Sequence, residues 1–380
     1  LLHTKNPSPI YDDLFNQPID KRRMNEMKKK LFALASLLMA VSLVLAGCGV
    51  PAAPAATPQV VEKTVIVQVT SAPKPVTEAG GGGEIAVIVK TTQTSFWQNV
   101  QKGAMAAGLE LQAKTADLRV TFLGAKSESD INEEIDIVEN AINRGVKAIV
   151  LAPSDVKALQ KPVADAKAAG IPVIIIDSKL DGDPSQYTAF FATDNKAAGE
   201  ACAKALIDTL AAKGITEGKV QVMSYVAGVG SEVGRVGGFN DYIKANSKFT
   251  LLQTQYSNAD MPTALNQTTN VLQANPDLVG IFGANEPTAI GMGKAIQQAG
   301  LSGKLVAIGF DGNQVLADMV RDGTLNAIAV QSAYNMGYLG VKSAYDVAFQ
   351  GKTIDPYVDT GFLMVTKDNI DSQDAKNVLY

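Results

Sequence analysis

The chain of 380 residues carries 34 basic and 38 acidic side chains, 46% hydrophobic residues, two cysteines and one histidine. A net charge of −4 offers nothing to a polyanion such as nucleic acid, and two cysteines are too few for a disulfide framework. The only imidazole, His3, leaves the rest of the chain without a histidine for a triad, a proton shuttle or a zinc site, which removes most hydrolase and metalloenzyme chemistry.

Residues 1 to 23 lack an initiator Met and have no leader pattern, so Met24 or Met27 is the expected start. Lys28, Lys29 and Lys30 then precede the apolar run LFALASLLMAVSLVL (31 to 45), the order of a secretory signal peptide. That run falls short of the ~20 residues needed to cross hydrocarbon, so cleavage is expected rather than a retained span. Leu45-Ala46-Gly47-Cys48 matches the bacterial lipoprotein box, and by that resemblance Cys48 becomes the mature N-terminus, acylated on its sulfur and amine and held at a membrane surface. Loss of residues 1 to 47 removes seven basic and four acidic residues, leaving 27 and 34, a net charge of about −7.

Between Cys48 and Gly83 the chain is rich in Pro, Ala, Thr and Gly without an aromatic residue, which predicts a flexible tether over 48 to 83. From Glu84, strand-like runs follow at 84 to 90, 119 to 124, 148 to 153, 172 to 177 and 187 to 194. A second series lies at 219 to 225, 249 to 256, 278 to 285, 304 to 311 and 325 to 331. Their apolar residues do not alternate with polar ones, the pattern of parallel strands buried on both faces. Helical stretches such as 128 to 145 and 155 to 170 separate them, with Gly145 and Gly170 where C′ residues belong. Alternating β and α elements predict an α/β fold with two similar halves. Cys202, in the helical pattern GEACAKALIDTL, is expected in the core.

Ligands of open parallel sheets bind beyond the carboxyl ends of the strands. There the sequence places Ser154, Asp155, Asp177, Ser178, Asn285, Asp311 and Gln331, of which Asp155 reads as a helix cap. Phe96 and Trp97 open a helix whose apolar stripe continues through Val100, Ala104 and Leu111. Two adjacent aromatics cannot both follow one stripe, so at least one is expected at the crevice. Aromatic faces suit the C–H faces of sugar rings, while carboxylates, amides and a guanidinium suit hydroxyls. GVGSEVGRVGG matches a glycine-rich phosphate loop only weakly, without a following Lys-Ser/Thr, and is read as a flexible strand-to-helix turn at the cleft.

The runs TTQTSFW, VKAIVLAPSD, ADAKAAGIPVIIID, FATDNKAAGE, GSEVGRVGGF, QANPDLVGIFGANEPTAIG, AIGFDG and IAVQSAYNMG, in this order, resemble the periplasmic sugar-binding proteins of the ribose-binding type, the solute receptors of ABC importers. The resemblance runs from Glu84 to the C-terminus. It implies a type I periplasmic binding protein fold: two doubly wound parallel-sheet lobes joined by a three-strand hinge, one lobe 84 to 193 plus 332 to 361, the other 194 to 331 plus 362 to 380. It also implies a ligand site of Thr94, the aromatics Phe96 and Trp97, the carboxylates Asp177 and Asp311, Ser178, the guanidinium of Arg235 and the amides of Asn285 and Gln331. Ribose receptors often have Arg in place of Ser178, Asn in place of Thr94, and an aromatic where this chain offers Ala259 or Met261. The implied ligand is therefore a monosaccharide or related polyol rather than ribose in particular. The implied partners are an ABC permease and, through the lipid anchor, a membrane; the implied protein is an extracytoplasmic monomeric receptor, not an enzyme, with no cofactor. A glycosidase using Asp177 and Asp311, and a sugar-sensing partner of a chemoreceptor, are the alternatives. Alanine at Asp177 or Asp311 is expected to abolish sugar binding with little loss of fold.

Overall fold

A computed structural model describes residues 83–380, so the expected leader, Cys48 and nearly all of the tether lie outside the described residues. In chain order, β1 (Glu84–Val89), α1 (Ser95–Gln112), β2 (Arg119–Gly124), α2 (Ile131–Asn143), β3 (Ala148–Leu151), α3 (Gln160–Ala168), β4 (Val173–Ile176) and β5 (Ala189–Ala192) alternate. The second series runs α4 (Asn195–Ala212), β6 (Glu217–Ser224), α5 (Gly230–Asn246), β7 (Lys248–Leu251), β8 (Gln255–Tyr256), α6 (Met261–Ala274), β9 (Leu278–Gly283), α7 (Glu286–Gln298), β10 (Val306–Phe310), α8 (Gln314–Arg321) and β11 (Ala327–Gln331). Finally come α9 (Ala333–Gln350), β12 (Tyr357–Asp359), β13 (Phe362–Thr366) and α10 (Gln373–Val378).

Two sheets result, each the core of one lobe. The first has the order β12-β5-β4-β3-β1-β2 and is parallel throughout. The second has the order β13-β11-β10-β9-β6-β7, with β8 also on β6, and only β13 runs antiparallel. Every residue of β3, β4 and β10 is buried, as their unbroken apolar sequences require of strands covered on both faces. Side-chain alternation divides β1 between two cores: Val87 and Val89 pack with α1 and α9 on one face, Ala86 and Ile88 with α2 and α3 on the other. The chain passes from one sheet to the other three times, after β5, after β11 and after β12.

Gly145 and Gly170 adopt φ of +68° and +76°, as residues closing helices do. Asp155 does not cap α3, which begins at Gln160 with Leu159 as its N-cap residue; its Oδ1 instead accepts from Lys157 N and Ala158 N at 2.8 and 2.7 Å in the turn before that helix. Cys202 is fully buried, its thiol pushed up by that burial.

Two further expectations need correction. The run 249 to 256 is not one strand: β7 and β8 pair separately with β6, and the side-chain amide of Gln221 holds the carbonyl of Gln253 between them at 2.9 Å. The glycines of GVGSEVGRVGG do not all belong to a flexible turn: Gly228, with φ of 86°, lies in the turn between β6 and α5, but Gly230, Gly234, Gly237 and Gly238 lie in α5. Gly238 lets α5 approach α4, since a Cβ there would stand 2.3 Å from the carbonyl oxygen of Lys196. Gly199 on α4 does the same opposite Arg235 O, at 2.0 Å. Among the described residues no helix is long and apolar enough to cross a membrane.

Candidate functional site

Asp177 directly follows β4 and Asp311 directly follows β10, so the two lobes carry equivalent carboxylates at equivalent strand ends. Both are left-handed, with φ of 61° and 73°, a conformation that costs a non-glycine residue about 1–2 kcal/mol. The neighbouring strand holds each in place: Asp177 N donates to Phe191 O at 3.1 Å and Asp311 N to Ala329 O at 2.8 Å. Strained backbone of this kind is kept where it aims a side chain at a site.

In the first lobe, Lys90 emerges from the end of β1 and is 1% exposed. Its Nζ lies 2.6 Å from Asp177 Oδ2 and 2.7 Å from Ser178 Oγ, and 5.6 Å from the Trp97 ring centroid. Phe96 and Trp97 meet edge to face at 4.8 Å, and the Trp97 indole N–H donates to Glu128 Oε1 at 2.8 Å. Burial pushes the Glu128 carboxyl up against the opposing pull of Lys90.

In the second lobe Arg235 is 2% exposed on α5, its guanidinium 3.5 Å from the Phe310 ring centroid. Nε and Nη2 donate to Asn195 Oδ1 at 3.1 and 2.7 Å, and Nη1 to Ala284 O at 2.6 Å. The group is thus clamped flat with donors to spare. Asp311 accepts from the Gln331 side-chain amide and from Glu286 N, both at 2.8 Å, and burial raises its carboxyl against the lowering effect of Arg235. Gln331 Oε1, also buried, has no partner. Asn285 caps α7, its Oδ1 accepting from Thr288 N at 3.2 Å.

Thr94, Phe96, Trp97, Asp177, Arg235, Asn285, Asp311 and Gln331 all line one crevice between the strand ends of the two sheets. Ser178 stands behind it, bridging Lys90 and Ser231, the latter at 2.9 Å. Both aromatics line the crevice while also closing the core over β1, so the choice posed between core and crevice does not arise. Neither Ala259 nor Met261 is among the lining residues.

The absence of an arginine at Ser178 does not leave the first lobe without a cation, because Lys90 supplies one. Lys90 lies at the end of β1, and the strand-end rule applied to EIAVIVK would have found it. Glu286, adjacent to Asn285, was open to the same reasoning. Tyr225, which directly follows β6 and ends the run 219 to 225, was open to the strand-end rule as well, whereas Glu128 and Ser231 line the site from a turn and a helix start that no strand pattern marks.

With Asp177, Asp311, Glu128 and Glu286 set against Lys90 and Arg235, the crevice presents four carboxyl groups and two cations. Asp177 and Asp311 can accept from hydroxyls, and Lys90 and Arg235 can donate to them, by charge-assisted bonds. Among the described residues no cluster of three or more His, Cys, Asp or Glu is placed to hold a metal ion.

Residues 85–353 match the periplasmic binding protein domain family. Among curated proteins, the D-allose-binding periplasmic protein of Escherichia coli K12 is 34% identical over 283 residues, 73% of this chain and 88% of that protein. Among solved structures, an ABC transporter solute binding protein from Agrobacterium vitis with bound D-fucose is 58% identical with a TM-score of 0.75, covering 78% of this chain and all (100%) of that one. A carbohydrate transporter solute binding protein from Agrobacterium radiobacter, in complex with D-arabinose, is 35% identical with a TM-score of 0.75, covering 80% of this chain and 100% of the other.

Proposed function

This chain belongs to the periplasmic binding protein domain family, as a sugar-binding solute receptor of the ABC-transporter kind, and from that premise we propose that its ligand is a neutral monosaccharide in ring form held between the two lobes. The observation that carries this reading is the meeting of Lys90 and Asp177 from one lobe with Arg235 and Asp311 from the other beside Phe96 and Trp97. One lobe alone would offer half a site, so the sugar favours the closed arrangement by bonding to both. The Asp177 and Asp311 carboxylates accept hydroxyl pairs, Arg235 and Lys90 donate, and the aromatic pair covers a ring face. A sugar lacking one of the bonded hydroxyls leaves a buried partner unpaired and is rejected.

The lobe boundaries belonging to this reading are 193/194, 331/332 and 361/362. The protein acts outside the cytoplasm as a monomer. Its leader is removed, acylated Cys48 anchors it to the membrane, the tether of 48 to 83 gives it reach, and it hands its sugar to an ABC permease. Cys48→Ser should move the protein from the membrane fraction to the soluble one. The sugar reading is tested by Trp97, the only tryptophan in the chain. Its emission should shift saturably with at least one of D-fucose, D-allose and D-arabinose and stay unchanged with gluconate, an open-chain acid that offers the aromatic pair no ring face. A saturable response to gluconate alone would refute the reading.

A further inference from the structure

Glu286 is the first residue of α7 in the second lobe, yet its side chain makes its strongest bonds in the first. Oε1 accepts from Ser95 N at 3.0 Å and Oε2 from Phe96 N at 2.9 Å. These are the first two N–H groups of α1, whose N-cap residue, Thr94, gives no side-chain cap bond. A helix start leaves its first N–H groups without intrahelical partners, and a carboxylate is the group best suited to them. Here the second lobe supplies it. The same residue's own N–H donates to Asp311 Oδ2, and the hydroxyl of the C-terminal Tyr380 donates to Oε2 at 3.4 Å, so the carboxylate is held from behind.

We infer that Glu286 is the closing latch of the receptor: its carboxylate caps α1 across the cleft only when the lobes are shut, and so sets how long a sugar is retained, through lobe-to-lobe bonds rather than a bond to the sugar. The inference rests on the receptor reading, because retention has meaning only if the crevice holds a ligand. Phe96 N is one of the two donors, so the same bonds fix the aromatic wall of the site.

The affinity of a Glu286 variant is a poor readout by itself, since the change also relieves repulsion with Asp311; burial and Asp311 together push Glu286 up to about 7. The informative partner is Ser95. It occupies the first helical position, where proline is tolerated, and the extended Thr94 (φ −98°, ψ 155°) suits a following proline. Ser95→Pro removes one donor to the latch while keeping the helix. Calorimetric titration of wild type, Ser95→Pro, Glu286→Ala and the double variant with the tightest binder among D-fucose, D-allose and D-arabinose gives the coupling. The latch predicts that Ser95→Pro weakens binding about tenfold in wild type, through faster dissociation at an unchanged association rate, and has no effect in the Glu286→Ala background. Equal losses in the two backgrounds, or no loss in either, would overturn it. Glu286→Leu, which keeps the bulk but has no acceptor, repeats the cycle if the alanine variant fails to fold. Should wild type bind none of these sugars, the receptor reading fails instead, and small-angle scattering of the unliganded proteins decides the latch: a more extended Glu286→Ala supports it, and superimposable profiles refute it.

Discussion

Asp177 and Asp311 combine a charge, a left-handed backbone and a strand-end position, and each property has its own consequence under mutation. Asparagine tolerates φ near +60° and keeps the side-chain shape, so Asp177→Asn and Asp311→Asn should fold with a modestly lowered thermal midpoint, the first because the buried Lys90 ammonium loses its counter-charge, the second because an amide NH2 must face Glu286 N or the Gln331 amide. Each should weaken sugar binding about a hundredfold, the equivalent of one or two charge-assisted hydrogen bonds. Alanine at Asp177 is different, contrary to the expectation from sequence. It strains the backbone and strands the buried Lys90 ammonium, so it should cost about 3–5 kcal/mol of stability as well as binding, read from urea unfolding beside the asparagine variant. The sequence located both carboxylates because they follow unbroken apolar runs. It did not reveal the Lys90 pairing, which depends on β1 and β4 flanking β3 in the sheet.

A second residue-scale prediction concerns Glu134, fully buried, with Oε2 accepting from Ser154 N at 2.9 Å and Oε1 unpartnered. Burial raises it from 4.5 to about 7, against weaker lowering by Ser154 and Lys90. The folded state therefore keeps a proton that the unfolded chain releases. The resulting stabilisation is complete below about pH 4.5 and is lost as pH rises through about 7, about 3 kcal/mol in all. Glu134→Gln should flatten this dependence between pH 5 and pH 8 in urea unfolding. A wild-type stability that rises over that interval by as much as the variant's would contradict the assignment.

Among the elements, two helix pairs are built alike, one in each lobe. In the first, α1 and α9 cross where a Cβ on Gly103 would lie 1.9 Å from Tyr334 O and one on Gly337 would lie 2.0 Å from Val100 O. In the second, α4 and α5 cross at Gly199 and Gly238. Gly103→Ala should therefore destabilise the protein by about 2–3 kcal/mol, since backbone cannot yield as a flexible side chain can. Gly199→Ala should do this and also weaken sugar binding, because the atom it strikes is the carbonyl of Arg235. A melting series with calorimetry separates the two: loss of stability in both, loss of affinity beyond that in Gly199→Ala. The alternation of strands and helices was legible from hydrophobic period alone, since these strands are buried on both faces. The role of the glycines in α5 was not, because a glycine that permits a close crossing and one that bends a loop look alike until the partner helix is known.

For the whole molecule, two lobes, three crossings and a crevice between equivalent strand ends are the arrangement that the proposed closing of the receptor on its sugar requires. The crossings are tied to one another: Thr360 N donates to Ala192 O at 2.9 Å, Asp194 N to Asp359 Oδ1 at 3.2 Å, and Gln331 pairs with Phe362. The two-lobed plan and the main polar residues could be read from strand ends in the chain. Glu286 could not be read as a latch, because its partners are backbone N–H groups 190 and 191 positions away, and backbone leaves no signature in a sequence. The central claim, that charges from both lobes grip one neutral sugar, is tested most directly by calorimetric titration of wild type, Asp177→Asn and Asp311→Asn with D-fucose, D-allose and D-arabinose. At least one sugar should bind wild type one to one and bind each variant about a hundredfold more weakly, one variant for each lobe. Binding that survives either substitution unchanged, or no heat from any of the three sugars, would contradict it.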